Sequence, residues 1–388
     1  MQTRVDAVFN DPRIQRAFRF ISERESEIES QQIRLTEIPA PPFGESERAR
    51  AFSEELLKLH MRPETDRIGN IVAAYDGMGR TPVVVGAHLD TVFPASTPLE
   101  LRRKGRTLHL PGISDNGCGI AAALWMVRAA KENGIAFRRP VIVVGNVGEE
   151  GEGNLRGIRQ LFDDPPWQGC ECDFIAVDGA GLQRVTHQGL GSRRLRVHMT
   201  GPGGHSWADF GRPNPVQAMA GAIHAFSAVS GIRRPGTSFN FGVVRGGISV
   251  NAIPREAVME VDLRSIASAN LDELENQLRR SISEATRATG VECRIELMGE
   301  RPSGVTPLSS PIVVAALEVT RRLGFEALTD VGSTDANLPI SMGIPAIALG
   351  GGGTSGNVHT PEEWFDPVRR DLGIQRLLAL VAVLAGMD

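Results

Sequence analysis

PVVVGAHLDTV, residues 82–92, decides the fold. Three valines followed by glycine and alanine, with no polar alternation, read as a strand buried on both faces, which requires helices above and below the sheet. The run ends in His88, Leu89 and Asp90, which places two chemically capable side chains just beyond the strand's carboxyl end. The same construction recurs. VIVVGN (141–146) is followed by Glu149 and Glu150, FIAV (174–177) by Asp178, and AIAL (346–349) by a glycine loop and His359. The Ala/Leu-rich stretch Gly119–Lys131 reads as a helix, and Asp115 stands just ahead of it in GISDNGCG (112–119). Strands are predicted over Asn70–Tyr75, Pro82–Ala87, Pro140–Asn146 and Asp173–Asp178, in an α/β sheet.

From about residue 190 the pattern changes. Leu195, Val197 and Met199 alternate with charged neighbours, as do Ala257, Met259, Val261 and Leu263. Such alternation marks strands with one solvated face. Helical spacing appears at Pro215–Val229 and at Leu271, Leu274, Leu278 and Ile282. The order strand, helix, strand, strand, helix, strand (Val291–Leu297) is that of the ferredoxin-like split βαβ fold. The α/β pattern then resumes, with Ile312–Leu323 and Leu372–Leu384 helical. The predicted organisation is therefore an α/β domain over 1–188 and 300–388, interrupted by an α+β domain over 189–299.

Composition narrows the functional classes. The 388 residues carry 42 Lys and Arg against 46 Asp and Glu, a net charge of −4. That balance offers no basic surface for phosphate contacts, and no nucleic-acid role is expected. The longest apolar run, around Leu377–Leu384, is far short of the roughly 20 residues that span a bilayer. The charged N-terminus lacks the apolar core of a secretory signal. Cys118, Cys170, Cys172 and Cys293 fit neither a disulfide scaffold nor a zinc finger, which implies a reduced, cytoplasmic protein, with Cys170 and Cys172 a surface pair.

Five segments thus bring an acid or a histidine to one edge of a sheet, where ligands of open α/β sheets bind. Singly, each has a plainer explanation: a loop histidine, a solvated acid pair, a turn or capping aspartate. Five on one edge do not arise by accident. Imidazoles and carboxylates without a thiolate suit Zn²⁺ or a similar divalent ion in an incompletely closed, catalytic site. A bridging carboxylate with an imidazole and a further carboxylate on each side would hold two ions about 3.5–4 Å apart, sharing a water. Of the adjacent Glu149 and Glu150, one can serve the metal and the other act as general base. Asp90, two residues beyond His88, is placed to hydrogen-bond the imidazole and fix its tautomer.

Taken together, GAHLDTV (86–92), GISDNGCG (112–119), GNVGEEGEGN (145–154), AVDG (176–179), GPGGHS (201–206), GGISVNAIP (246–254), DLRS (262–265) and GNVHTPEEW (356–364) resemble the dinuclear-zinc metallopeptidases that include glutamate carboxypeptidase, peptidase T, aminoacylase and succinyl-diaminopimelate desuccinylase. The motifs run in family order over about three quarters of the chain. The resemblance implies a zinc-peptidase-like catalytic domain with an inserted lid and dimerisation domain, and hence a homodimer. It implies that His88, Asp115 and Asp178 hold one zinc and that Asp115, Glu150 and His359 hold the other; since metal selectivity often follows supply, manganese or cobalt could stand in for zinc. Glu149 matches the general base and Asp90 the carboxylate behind His88. His205 matches a residue that reaches a neighbouring subunit's site to stabilise the oxyanion, and Asn251 and Arg264 match residues that hold the substrate. A cis peptide is implied at Asp115–Asn116.

The expected reaction is hydrolysis of a peptide bond in a small peptide, with the lid closing on hinges near Gln188–Ser192 and Met298–Pro302. In the family pattern, Asp at the position of Asp178 accompanies aminopeptidases and dipeptidases, and Glu accompanies carboxypeptidases and deacylases. The nearest expectation is a di- or tripeptidase like peptidase T. Glu152, a third acid in the general-base loop, departs from the pattern. The alternative is an N-acyl- or N-carbamoyl-amino-acid amidohydrolase using the same metals. A catalytically silent metal- or peptide-binding protein would be expected to lack a ligand or the base, and all six positions are filled.

Overall fold

Val83, Val84 and Val85 are fully buried, on a strand Val83–His88 inside a nine-stranded sheet. The computed structural model describes residues 1–75, 77, 79, 81–164, 168–229 and 234–388. Two compact units form: Met1–Gly189 with Val305–Asp388, and Leu190–Gly304.

In the first unit the central strands run in the order Ile71–Tyr75, Val141–Asn146, Val83–His88, Asp173–Val177, Ala346–Leu349, Arg184–Gly189. Val83–His88 pairs in parallel with both of its neighbours. Those neighbours follow it in sequence but lie on its two sides, a reversal of strand order of the kind at which open α/β sheets bind ligands, beyond the strands' carboxyl ends. The alternation of its side chains explains the unbroken apolar run. Val83, Val85 and Ala87 face a core shared with the helices Gly117–Glu132 and Arg370–Ala385. Val84 faces the other way, onto Ile158, Leu161 and Phe162 of the helix Arg156–Asp163.

Four N-terminal helices, Gln2–Asn10, Pro12–Ser22, Glu25–Thr36 and Ser46–Lys58, join the first of these cores. In the second, Asp11 caps the start, its Oδ1 accepting from Arg13 N–H at 2.8 Å, and Ile14, Ala17 and Ile21 form the buried stripe. A separate four-stranded sheet pairs Thr107–His109 with Trp364–Asp366. That pairing carries Glu363 to the loop ahead of the helix Gly117–Glu132. Cys172 corrects an expectation: it is not on the surface but buried among Ile158, Leu161 and Phe174.

The second unit is a four-stranded antiparallel sheet in the order Thr237–Gly246, Glu256–Ser265, Gly191–Thr200, Glu292–Arg301. Helices Pro215–Ala228 and Ser268–Thr289 cover one face, where Leu195, Val197, Met259 and Val261 meet Met219, Phe226, Leu274 and Leu278. This is the ferredoxin-like arrangement.

Candidate active site

Seven of the ten residues singled out in the sequence lie in the first unit, at the carboxyl edge of its sheet. His88 ends its strand and is buried. Asp178 follows the next strand, its N–H donating to Leu349 O at 2.8 Å. Asp115 sits beside it because the helix Gly117–Glu132 begins almost in contact with that strand. A Cβ on Gly119 would collide with Val177 O and with the Asn116 side chain, so only glycine permits the approach. Asn116 completes the join, its Nδ2 donating to Val177 O at 2.9 Å. The Asp115–Asn116 peptide is cis.

Asp115 is the pivot. Its Oδ1 lies 3.1 Å from His88 Nε2 and its Oδ2 3.0 Å from His359 Nε2. Asp178 Oδ1 lies 3.7 Å from the same His88 nitrogen, and Glu150 Oε1 lies 3.0 Å from His359 Nε2. Two triads result, His88–Asp115–Asp178 and Asp115–Glu150–His359, each with its candidate ligand atoms within 4.8 Å of one another. Asp115 Oδ1 is buried and has no hydrogen-bond donor among the described residues. His359 holds its place with a left-handed φ of 66°, two residues after Asn357 at 54°, a backbone arrangement that costs energy in non-glycine residues.

The electrostatics point the same way. Burial works against charging His88, but Asp115, Asp178 and Asp90 outweigh it and raise its pKa well above the usual imidazole value. Asp115 and Glu150 lift His359 to about 10. Burial alone would raise Asp115, yet the two imidazoles hold it below the normal carboxylate range. A site that draws protons onto two imidazoles is one that calls for positive charge. The donor set fits divalent cations with borderline nitrogen and oxygen preference.

Asp90 behaves differently from the expectation. His88 Nδ1 lies 3.1 Å from the backbone oxygen of Asp90, whereas the carboxylate is 3.7 Å away. That carboxylate is committed elsewhere: Oδ1 accepts from Glu149 N–H at 3.0 Å and Oδ2 from Glu150 N–H at 2.8 Å. Asp90 thus holds the backbone of the acid pair and the carbonyl orients the imidazole.

Two acids not singled out in the sequence also build the site. Glu363 accepts from the N–H groups of Gly112 (2.9 Å), Ser114 (2.8 Å) and Asp115 (3.1 Å), and its burial outweighs those donors to raise its pKa to about 7. Asp335, fully buried and raised to about 7 by that burial, accepts from Asn146 Nδ2 at 2.7 Å. The available signals were slight: Glu363 lies four residues after His359, and Asn146 is a polar end to an apolar strand.

His205, Asn251 and Arg264 lie in the second unit. His205 and Asn251 are brought together on a short ribbon, where His205 pairs with Ala252 and Ser206 N–H donates to Asn251 O at 3.0 Å. Both side chains are exposed. His205 Nδ1 accepts from Trp207 N–H (3.2 Å) and Ala208 N–H (3.3 Å), which leaves Nε2 as the protonated, donating nitrogen. Arg264 is on the strand Glu256–Ser265, its Nε donating to Asp262 Oδ2 at 2.7 Å.

Residues 84–387 match the family model described as Peptidase family M20/M25/M40, and the chain belongs to that family. It is a hydrolase. Among curated relatives, carboxypeptidase G2 of Pseudomonas sp. (strain RS-16) is 24% identical over 289 residues, 72% of this chain and 68% of that one. N-carbamoyl-L-amino acid amidohydrolase of Geobacillus stearothermophilus is 23% identical over 396 aligned positions, 86% of this chain and 91% of the relative. In fold, a tripeptidase from Staphylococcus aureus superposes with a TM-score of 0.80 at 20% identity, covering 93% of this chain and 98% of the other.

Proposed function

We propose that the chain hydrolyses the peptide bond of small free-amino peptides, di- or tripeptides, using two divalent cations, zinc above manganese or cobalt. The observation that carries this reading is Asp115, whose two carboxylate oxygens face two different imidazoles at 3.1 and 3.0 Å. His88, Asp115 and Asp178 would hold one cation, and Asp115, Glu150 and His359 the other. Cations so held supply Lewis-acid polarisation of a carbonyl and a more acidic water.

The chain's own residues do the rest. Glu149 takes the proton of the attacking water and delivers it to the leaving amine, its backbone fixed by Asp90. His205, donating from Nε2, stabilises the oxyanion, and Asn251 and Arg264 hold the substrate. We assign the catalytic role to the first unit and the lid and dimerisation role to the unit Leu190–Gly304. A homodimer through that unit is supported by the ten-residue strand Thr237–Gly246, which among the described residues lies at the edge of its sheet. A cytoplasmic location is supported by four free cysteines. Among the described residues no helix is long and apolar enough to cross a membrane.

Asp178 supports the free-amino substrate. A second reading, hydrolysis of N-carbamoyl or N-acyl amino acids, is favoured by the near full-length match to a carbamoyl amidohydrolase. The discriminating experiment offers the metal-loaded protein free-amino di- and tripeptides beside N-acetyl and N-carbamoyl amino acids. Cleavage of the free-amino peptides alone is the expected result, and cleavage confined to the blocked amino acids selects the second reading.

A further inference from the structure

The acid pair Glu149–Glu150 sits on a closed loop. It leaves the sheet at Val147 and closes at the start of the helix Arg156–Asp163, where Gly157 N–H donates to Val147 O at 2.9 Å and Arg156 N–H to Gly148 O at 3.2 Å. Asn70 fastens the neck, accepting from Val147 N–H at 3.0 Å and donating to Gly157 O at 2.8 Å. Asp90 holds the tip. The flank is held by Arg156. Its Nη2 donates to both carboxylate oxygens of Glu45 at 2.7 Å, and its Nη1 to Ile68 O at 3.1 Å.

Glu45 is almost wholly buried. It ends a segment tied to the His88–Asp90 strand end, since Thr91 N–H donates to Ala40 O at 2.9 Å and Arg48 Nη1 to Leu89 O at 2.9 Å. The stem of Arg156 packs so tightly on Gly148, at φ 66°, that a Cβ there would collide with it. Phe43, itself in a left-handed conformation, lays its ring 4.9 Å from the guanidinium carbon. A guanidinium that holds a buried carboxylate through Nη2 and a backbone carbonyl through Nη1 differs in kind from an exposed ion pair, because the two anchors fix geometry as well as charge.

We infer that Glu45 and Arg156 are positioning residues for the general base: the pair locks the Glu149 loop to the segment behind His88 and Asp90, so that base and ligands share one frame. The inference rests on the reading of Glu149 as the base. A pair serving stability alone would change the amount of folded protein but not the turnover of each folded molecule.

The test uses the metal-loaded full chain as wild type, Arg156→Lys, Arg156→Met, the double variant Glu45→Gln/Arg156→Met, and Glu149→Gln. The double variant leaves no buried uncompensated carboxylate and so keeps the fold. For it, kcat is expected to drop about 10- to 100-fold, as misplacement of a catalytic group by about 1 Å produces. KM and bound metal should stay at wild-type values. Arg156→Lys should recover part of the loss, having the charge without the second nitrogen that holds Ile68 O. Wild-type kcat in the double variant, with Glu149→Gln inactive, overturns the positioning role alone. Wild-type activity in Glu149→Gln overturns the base assignment, and the positioning role with it.

Discussion

The carboxyl edge of the first unit's sheet and the ribbon of the second unit carry the two halves of the proposed chemistry in opposite ways. At the sheet edge, His88, Asp90, Glu149 and Glu150 are buried and tied together, the Asp90 carbonyl against His88 and the Asp90 carboxylate on the N–H groups of Glu149 and Glu150. On the ribbon, His205 is exposed; its backbone pairs with Ala252 and its imidazole accepts from the near neighbours Trp207 and Ala208. Charge that is buried must be compensated and immobilised, so these residues are built into the fold. A donor that meets a substrate from an exposed ribbon needs only the right tautomer.

That contrast can be broken by mutation. Glu149→Gln should lower hydrolysis by about 10²- to 10⁴-fold with metal content unchanged, as measured by turnover and metal analysis. His205→Ala should lower kcat by about 10²-fold and leave the melting temperature at the wild-type value, because the two N–H groups its imidazole accepts from are exposed and can turn to water. A clear loss of stability there would show the ribbon to be built like the sheet edge.

Glu363→Ala should act through structure. It leaves three N–H groups near Asp115 without an acceptor, at a cost of roughly 3 kcal/mol or more, read by chemical denaturation. Glu363→Gln, retaining one oxygen, should fall between.

The smallest effect is in pH. His359 is raised from 6.5 to about 10 by Asp115 and Glu150. In chelator-stripped protein its contribution to stability is complete below 6.5 and disappears as pH rises towards 10. A bound cation takes the place of that proton. The rise in melting temperature on adding Zn²⁺ should therefore grow with pH across this window, and a rise that shrinks would contradict the assignment of His359.

The same contrast explains what was legible in the sequence. A polar residue closing an apolar run, as His88 closes Val83–Ala87, is visible because burial on both faces leaves an unbroken apolar pattern. The ferredoxin-like unit is visible through its alternation. His205, Asn251 and Arg264 carry no such mark and enter only through resemblance to relatives. The N-terminal helices went unread because charged residues surround each buried stripe, as Arg13, Arg16 and Arg19 surround Ile14, Ala17 and Ile21. The strands Thr107–His109 and Trp364–Asp366 are three residues each, too short for any period to show. Glu363 and Asp335 look like solvated loop acids until the chain is folded around them.

The most direct test of the central claim, a two-cation centre bridged by Asp115, is a titration of chelator-stripped protein with Zn²⁺. Amide cleavage and bound metal are followed together, in wild type and in Asp115→Ala. The account predicts that wild-type activity rises to a plateau at two bound ions per chain and that Asp115→Ala neither binds both ions nor cleaves. Full activity in stripped protein, or in Asp115→Ala, would contradict it.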